Sequence, residues 1–491
     1  MMDYSYFFKK YKEYGEVTEI KYPIISAIGL PSAKIDELVF FESGEKGQII
    51  SLHENIVRIM LFSRSGIRVG TRLSRTDNQL SISIGKSLLG KIVNPFATPL
   101  SPTDSSVLKA ESERSIDTAP SGISKRAKIT KLLTTGTAVV DIAIPLGVGQ
   151  RQLILGDRKT GKSTFVLSTI DSQIQEGAVA IYAAIGKKKS DIKELEAFMN
   201  VGDRRKNMLI VATTAFDSPG LIFLTPFSAM TIAEYFRDMG RNVLLIMDDL
   251  LTHAKFYREF SLLAEVFPGR DSYPGDIFHV HAKLLERAGN FKLEEKATAA
   301  ISCFPIVETQ EDDFTGYIVS NLMSITDGHL FFDTTVFAQG RHPSINIPLS
   351  VTRVGRQTQD KLMRNINREL NTLFSIYEKL ESISHFGSEF SESVKSTLIS
   401  GQKINLFFNQ PPGMVISKEV YLILLALIWL QIINEESEID ATRDKLLKIS
   451  QQPKNRLLLE SFLKGDSFND LLKTVKDNKE VILNLCNRVK N

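Results

Sequence analysis

The chain has 491 residues, 43% hydrophobic and 24% charged, ordinary values for a globular protein with length enough for two or three domains and a large core. Lys and Arg number 60 against 57 Asp and Glu, and the net charge of +3 is too small to demand a nucleic acid or another polyanion as partner. The two cysteines, Cys303 and Cys486, lie far apart in sequence, which excludes a disulfide framework and fits a reducing compartment.

The first residues, MMDYSYFFKKYKEYGEV, lack the basic segment and apolar core of a secretory signal. Between Glu16 and Asp77, short apolar stretches (YPIISAIG, ELVFFESGEKGQIISL, NIVRIMLFS) are broken by Gly, Pro and Ser, a spacing that predicts a small β-barrel. The polar stretch Thr98–Ser121 reads as loop. From Lys131 onward, apolar strands such as RQLILG, AVAIYAAIG, NMLIVATT and NVLLIMDD alternate with helical segments. That alternation predicts βαβ units and a parallel sheet. After Asp360 the strand signals stop and helical periodicity takes over, as in KLMRNINRELNTLFSIYEKL. The apolar run Val420–Ile433 contains Gln431 and falls short of the roughly 20 residues a membrane helix needs, so a buried helix is expected and any membrane association must come through partners. The expected fold is multidomain α/β. It comprises an N-terminal β-barrel over 1–80, a P-loop nucleotide-binding domain over 81–360 and a C-terminal helical domain over 361–491.

Two motifs carry chemistry. The segment Gly156-Asp157-Arg158-Lys159-Thr160-Gly161-Lys162-Ser163-Thr164 follows a strand and opens a helix. Its glycines let backbone amides converge on phosphates, and the helix N-terminus adds partial positive charge. Lys162 is expected to reach the terminal phosphates of ATP or ADP, and Ser163 to ligate Mg2+. The second motif, VLLIMDD, is a buried strand whose carboxyl end presents Asp248 as a second magnesium-binding group.

The stretches IPLGVGQRQLILGDRKTGKST, MDDLLTHAKFYREFSLL, PGRDSYPGDIFHVHAKLLERA, ISCFPIVETQ, MSITDGHLFF and INIPLSVTRVG resemble the α subunit of the F-type ATP synthase head, from about Gly15 to at least Gln410. The resemblance implies a hetero-hexamer of α subunits alternating with catalytic β subunits around a central γ-type shaft. The α sites would hold magnesium-nucleotide without turnover. Arg353 would act in trans as an arginine finger in a neighbouring β site, Gln410 would contact adenine, and Pro268–Asp276 would lie near the shaft. A cytoplasmic chain is implied, peripheral on the membrane's cytoplasmic face through an ion-channel sector or another motor partner.

Several residues depart from the family pattern. Catalytic members carry a glutamate after a glycine at the end of the strand following the phosphate loop, where it orients water, and α subunits usually carry glutamine there. Here that place reads Gly186-Lys187-Lys188-Lys189, either a basic patch in solvent or a cation near phosphate. Asp191 begins the next helix and is a poorer candidate for that role, and Asp249 and the acidic Glu311–Asp313 are the acids that could substitute. Lys159 and Ser163 stand where glutamine and threonine are usual, and FFNQPPGM keeps one glutamine of the usual two. The N-terminus is short for the family, which implies a reduced attachment to a peripheral stalk. Three other readings share parts of this pattern. A repurposed rotary motor without ion coupling has the same motifs. A homohexameric secretion-type ATPase needs an acid at position 187. A nucleic-acid translocase needs a basic barrel with stacking aromatics, where Phe40 and Phe41 read more simply as barrel core and strand edge.

Overall fold

A computed structural model describes residues 3–100, 109–294, 297–384 and 392–488. The protein forms two units, one made of Met1–Lys128, Gly177–Glu308 and Asp313–Thr326, the other of Ile129–Glu176, Thr309–Asp312 and Asp327–Asn491.

The first unit opens with a short helix, α1 (Tyr4–Tyr11), and a closed six-stranded barrel. Its strands are β1 (Gly15–Lys21), β2 (Ile24–Ile28), β3 (Glu37–Phe41), β4 (Lys46–Leu52), β5 (Val57–Leu61) and β6 (Arg72–Gln79), in the order β1-β2-β5-β4-β3-β6. Closure removes the exposed sheet edges. Alternate residues point inward, and Val17, Ile25, Val39, Phe41, Ile49, Ile59 and Leu73 fill the interior. Phe40 points to the other side of its strand and is buried there, stacked on Phe7 of α1 with centroids 5.4 Å apart, so neither phenylalanine is exposed. The expected loop at Thr98–Ser121 is corrected in part. Residues 101–108 lie outside the described residues, but Ser112–Ser115 forms a strand antiparallel to Ser81–Ile84.

The same unit carries a run of parallel strands in the order 92–93, 208–214, 179–187, 243–248 and 298–308, with Gly289–Lys292 antiparallel at its edge. These strands are almost continuously apolar because helices such as Pro219–Asp238 and Leu250–Leu263 pack against them, as expected for a covered parallel sheet.

In the second unit, Leu153–Gly156 pairs in parallel with Gly328–Phe332, and Val351–Thr352 adds an antiparallel edge. The helix Lys162–Gln175 follows directly. From Lys361 onward the regular elements among the described residues are all helices. The apolar run expected to be a buried helix is one: Lys418–Trp429 buries every residue from Val420 to Ile428. No helix among the described residues is long and apolar enough to cross a membrane.

Candidate functional site

The phosphate-binding motif lies wholly in the second unit. The strand Leu153–Gly156 delivers the backbone into the loop, and Gly156 sits at φ +148 with the Phe332 carbonyl 2.3 Å from where a Cβ would stand. Only glycine fits that position. Two further residues take left-handed conformations, Lys159 at φ 64 and Gly161 at φ 94, and these turn the loop back into the helix. The loop is braced from outside. Ser344 Oγ donates to the Thr160 carbonyl at 2.7 Å, and Asp157 Oδ1 accepts from Thr309 Oγ1 at 2.6 Å and from the Asp312 amide at 3.1 Å. Asp157 is therefore a brace of the loop rather than a group turned towards a ligand.

Lys162 is buried, and its ammonium donates to the carbonyls of Gly156, at 2.7 Å, and Asp157. A lysine held against its own loop presents its charge where the loop's amides converge. Arg158, Lys159, Ser163 and Thr164 are exposed at the loop and the start of the helix. The arrangement can cradle an anion of the phosphate type.

The strand end with Asp248 lies in the first unit. Asp249 caps the helix Leu250–Leu263 through the Thr252 amide at 2.6 Å and the Thr252 hydroxyl at 3.0 Å. Asp248 is the last residue of its strand, opposite Ala184 of the neighbouring strand Val179–Lys187. Its two oxygens are both engaged. Oδ1 meets Lys187 Nζ at 2.7 Å, and Oδ2 accepts from the Tyr182 hydroxyl at 2.6 Å. Lys187 Nζ also lies 3.7 Å from Asp249 Oδ2.

A backbone irregularity brings Tyr182 and Lys187 to the same carboxylate. Their odd spacing along a regular strand would send them to opposite faces. Between Ala184 and Lys187 the strand gains a residue on its neighbour, where Ala184 pairs with Ala212 and Lys187 with Thr214. Gly186 sits in this bulge at φ +60, and the extra residue turns Lys187 onto the face of Tyr182. Burial favours the neutral amine of Lys187, but the charges of Asp248 and Asp249 outweigh it and hold its pKa above the ordinary lysine value. Burial also raises the Asp249 carboxyl, with Lys187 pulling the other way. The Tyr182 phenol is held well above its usual range by burial and by the Asp248 charge, so it remains a donor.

The expectation that Lys187 belongs to a basic patch in solvent or faces phosphate is thus corrected. Its side chain is 17% exposed and committed to the carboxylates, whereas Lys188 and Lys189 are exposed. Three of the other candidate acids are also engaged or displaced. Asp191 lies in the first turn of the helix Lys189–Met199, Asp312 accepts from the Thr334 hydroxyl, and Asp313 accepts from the Thr315 amide at 2.8 Å. As a magnesium ligand Asp248 does not fit while Lys187 is in place, and no cluster of three or more metal-binding side chains occurs among the described residues. Ser163, exposed at the start of its helix, is compatible with that role.

Gln410, expected to contact adenine, lies in the second unit. It is 4% exposed, its amide nitrogen donates to the carbonyls of Gly136, at 2.8 Å, and Met414, and its oxygen accepts from the Ala138 amide at 3.1 Å. Three backbone groups of its own unit thus hold both amide hydrogens and one lone pair of the oxygen. Arg353 is exposed directly after the edge strand Val351–Thr352. The turn that carries it is rigid. The Arg353 amide donates to the Asp327 carbonyl at 3.0 Å, Thr352 Oγ1 donates to the Pro145 carbonyl at 2.8 Å, and at Gly355 a Cβ would lie 1.6 Å from that same carbonyl. Tyr182 was missed in the sequence. Its signal, a tyrosine in an otherwise aliphatic buried strand beside an acidic strand end, was available but unspecific.

Comparison with known proteins agrees with this architecture along most of the sequence. Residues 10–77 match the β-barrel domain of the ATP synthase alpha/beta family, residues 136–352 its nucleotide-binding domain, and residues 359–478 its C-terminal domain. The protein is 37% identical over 402 residues to ATP synthase subunit alpha of Mycoplasma genitalium, covering 82% of its own length and 77% of the relative's. It is 37% identical over 425 residues to ATP synthase subunit alpha 2 of Nitrosospira multiformis, covering 86% and 82%. It is 36% identical over 414 residues to ATP synthase subunit alpha of a Sulfurovum species, covering 84% and 82%. With the barrel, the phosphate loop and the helical domain all in register, the protein belongs to the ATP synthase alpha/beta family and is of the alpha-subunit type.

Proposed function

We propose that this protein is a non-catalytic, nucleotide-binding alpha-type subunit of a rotary ATPase head that lends Arg353 to the site of an adjacent catalytic subunit. One observation carries the reading. Where a hydrolytic site needs an acid to orient water, this protein has Lys187, ion-paired to Asp248 at 2.7 Å. A charged ammonium cannot take a proton from water, and the same pairing argues against a self-sufficient homohexameric ATPase.

Within this reading, the amides of Gly156–Thr164 and the Lys162 ammonium hold the phosphates of ATP or ADP. Ser163 is the group suited to a bound magnesium ion, which would supply charge neutralisation at the phosphates. Arg353 is exposed on a rigid turn, the disposition a finger needs if it is to reach a phosphoryl group bound by a neighbour. The partners proposed are beta-type subunits alternating with this one, and a central shaft. The segment Pro268–Asp276, preceded by Phe267 at 92% exposure, is a candidate contact surface for them. Attachment to a membrane would then come through partner subunits.

The test is turnover in two settings. The purified protein should bind ATP with negligible hydrolysis, and Lys162→Ala should abolish the binding. In a complex reconstituted with the beta-type subunit, Arg353→Ala should lower turnover by about 10³-fold or more while leaving ATP binding to the alpha-type subunit intact. Robust hydrolysis by the protein alone, lost on changing Lys162, would sink the non-catalytic reading. Unchanged turnover of the Arg353→Ala complex would remove the finger.

A further inference from the structure

We infer that an arginine-lined cleft in the second unit, around Arg356, Arg364 and Arg368, docks an acidic segment of the beta-type subunit proposed above. The inference rests on that reading and adds where, and by what chemistry, the partner is held.

The cleft has a volume of about 620 Å3 and lies wholly within the second unit. It runs from the turn Gly355–Thr358 along the first half of the helix Lys361–Ser384. Three guanidinium groups line it, and among the described residues that line it none is acidic. Arg356 and Arg364 pair with no carboxylate among the described residues. Asp360 lies close in sequence but is bound to Lys418 and accepts from the Met363 amide at 2.8 Å. Arg368 meets only its neighbour Glu369, at 3.6 Å, and with side chains 73% and 46% exposed that contact is screened by water. Arg364 and Arg368 stand one helical turn apart, a spacing at which like charges weaken a helix. An incoming anion relieves that repulsion.

The frame behind these charges is fixed. Asn367 is buried, and its side-chain nitrogen donates to the carbonyls of Ile142, at 2.6 Å, and Ala143, at 3.0 Å. Asn371 donates to Asn367 Oδ1 at 2.9 Å. Arg364 Nε donates to the Gln359 carbonyl at 2.9 Å, and its two terminal nitrogens take no partner among the described residues. That leaves a fork already oriented for a carboxylate.

The layout favours a row of carboxylates over a free phosphate. A phosphate site gathers backbone amides, and those along the interior of a helix are bonded to its own carbonyls. Here the charge is spread along the helix instead. From Arg364 to Ile376 the cleft follows about 18 Å of helix, the reach of about five extended residues. Arg353 stands three residues before Arg356, so the cleft continues the turn from which that arginine would reach the partner's site. Exposed charges of this kind steer association and set its salt dependence.

The experiment measures association of the purified full-length protein with the beta-type subunit. Between about 50 and about 300 mM NaCl the wild-type association rate should fall at least about tenfold. Arg364→Gln combined with Arg368→Gln should associate at least about fivefold more slowly at the lower salt and lose much of the salt dependence, and the corresponding pair of lysine changes should restore most of the rate. Calorimetric titration of ATP should give the same affinity for every variant, because the phosphate loop is untouched. A glutamine variant that associates at the wild-type rate with the wild-type salt dependence overturns the inference and leaves the partner reading standing. No association of the wild-type proteins at either salt removes that reading, and this inference with it. A measurement independent of affinity uses benzoylphenylalanine incorporated at Thr372, which lines the cleft. The peptide it captures should belong to the beta-type subunit and carry at least two Asp or Glu residues. Capture of a peptide without acids, or of a second copy of this protein, overturns the proposal. Tripolyphosphate that binds Lys162→Ala, and no longer binds once Arg364 and Arg368 are also changed to Gln, overturns it in favour of a free polyanion if those changes leave subunit association intact.

Discussion

Replacing Lys187 by Met removes the cation from a shielded acidic pair and leaves the rest of the strand in place. At an effective dielectric of about 20, attractions over 2.7 Å and 3.7 Å come to roughly 6 and 4.5 kcal/mol. Much of this is offset by taking the ammonium and the carboxylates out of water, and removing one partner of a buried pair costs about 3–5 kcal/mol in practice. The loss should be local to the strands Val179–Lys187 and Val243–Asp248, which hydrogen exchange of their amides reads directly. It should also depend on pH. Without the cation, two neighbouring buried carboxylates raise each other's pKa above the unfolded value. A raised carboxyl pKa means a deficit that is present at neutral pH and shrinks as pH falls towards the unfolded carboxylate range. Lys187→Met should therefore lose protection relative to wild type at pH 7.5 and regain part of it near pH 5, after correction for intrinsic exchange. In wild type the raised Lys187 pKa keeps the pairing in force through neutral pH, to be lost only as pH rises beyond the ordinary lysine range. Equal protection of the two proteins at both pH values would refute the claim that the pair is a buried, mutually dependent unit.

Two further outcomes are expected. Gly156→Ala places a methyl group 2.3 Å from the Phe332 carbonyl at a φ of +148, a strain of roughly 1–3 kcal/mol before any clash, and should weaken ATP binding at least about tenfold in the same calorimetric titration; wild-type affinity would contradict the loop geometry. Burial holds the His253 imidazole at about 4, with Nδ1 3.1 Å from His281 Nε2. The unfolded protein takes up that proton near 6.5, so stability is lost as pH falls from there towards 4, by roughly 3 kcal/mol in total. His253→Gln should flatten this acid slope in thermal melts between pH 7.5 and 5, and an unchanged slope would assign it to other groups.

Features written in local pattern were legible before folding. Alternating short apolar stretches specify barrel strands because side chains on a strand alternate faces, and the interior residues Val39, Phe41, Ile49 and Ile59 follow that alternation. The phosphate loop is legible because its demands are backbone demands, and glycines stand at Gly156 and Gly161 where positive φ is needed. The burial of Val420–Ile428 follows from an apolar run with no polar face. The absent acid at position 187 needed only the motif's spacing.

What Lys187 does could not be read in the same way. In sequence it belongs to a run of three lysines, and period-two counting sends it away from Tyr182. Only the extra residue in the pairing of Val179–Lys187 with its neighbour reverses that parity, and a bulge is a property of two strands rather than one. Gln410 is a similar case. Its neighbours suggest a loop near a ligand, yet its amide is consumed by Gly136, Ala138 and Met414, of which Gly136 and Ala138 are more than 250 residues earlier in sequence. The barrel, the phosphate loop, the helical end and the lysine at position 187 each depend on residues close together in sequence, so local pattern was enough to specify them. Which charges meet, and which polar groups are already satisfied, follows from distances between segments that no local pattern encodes, and those were settled only when the segments packed.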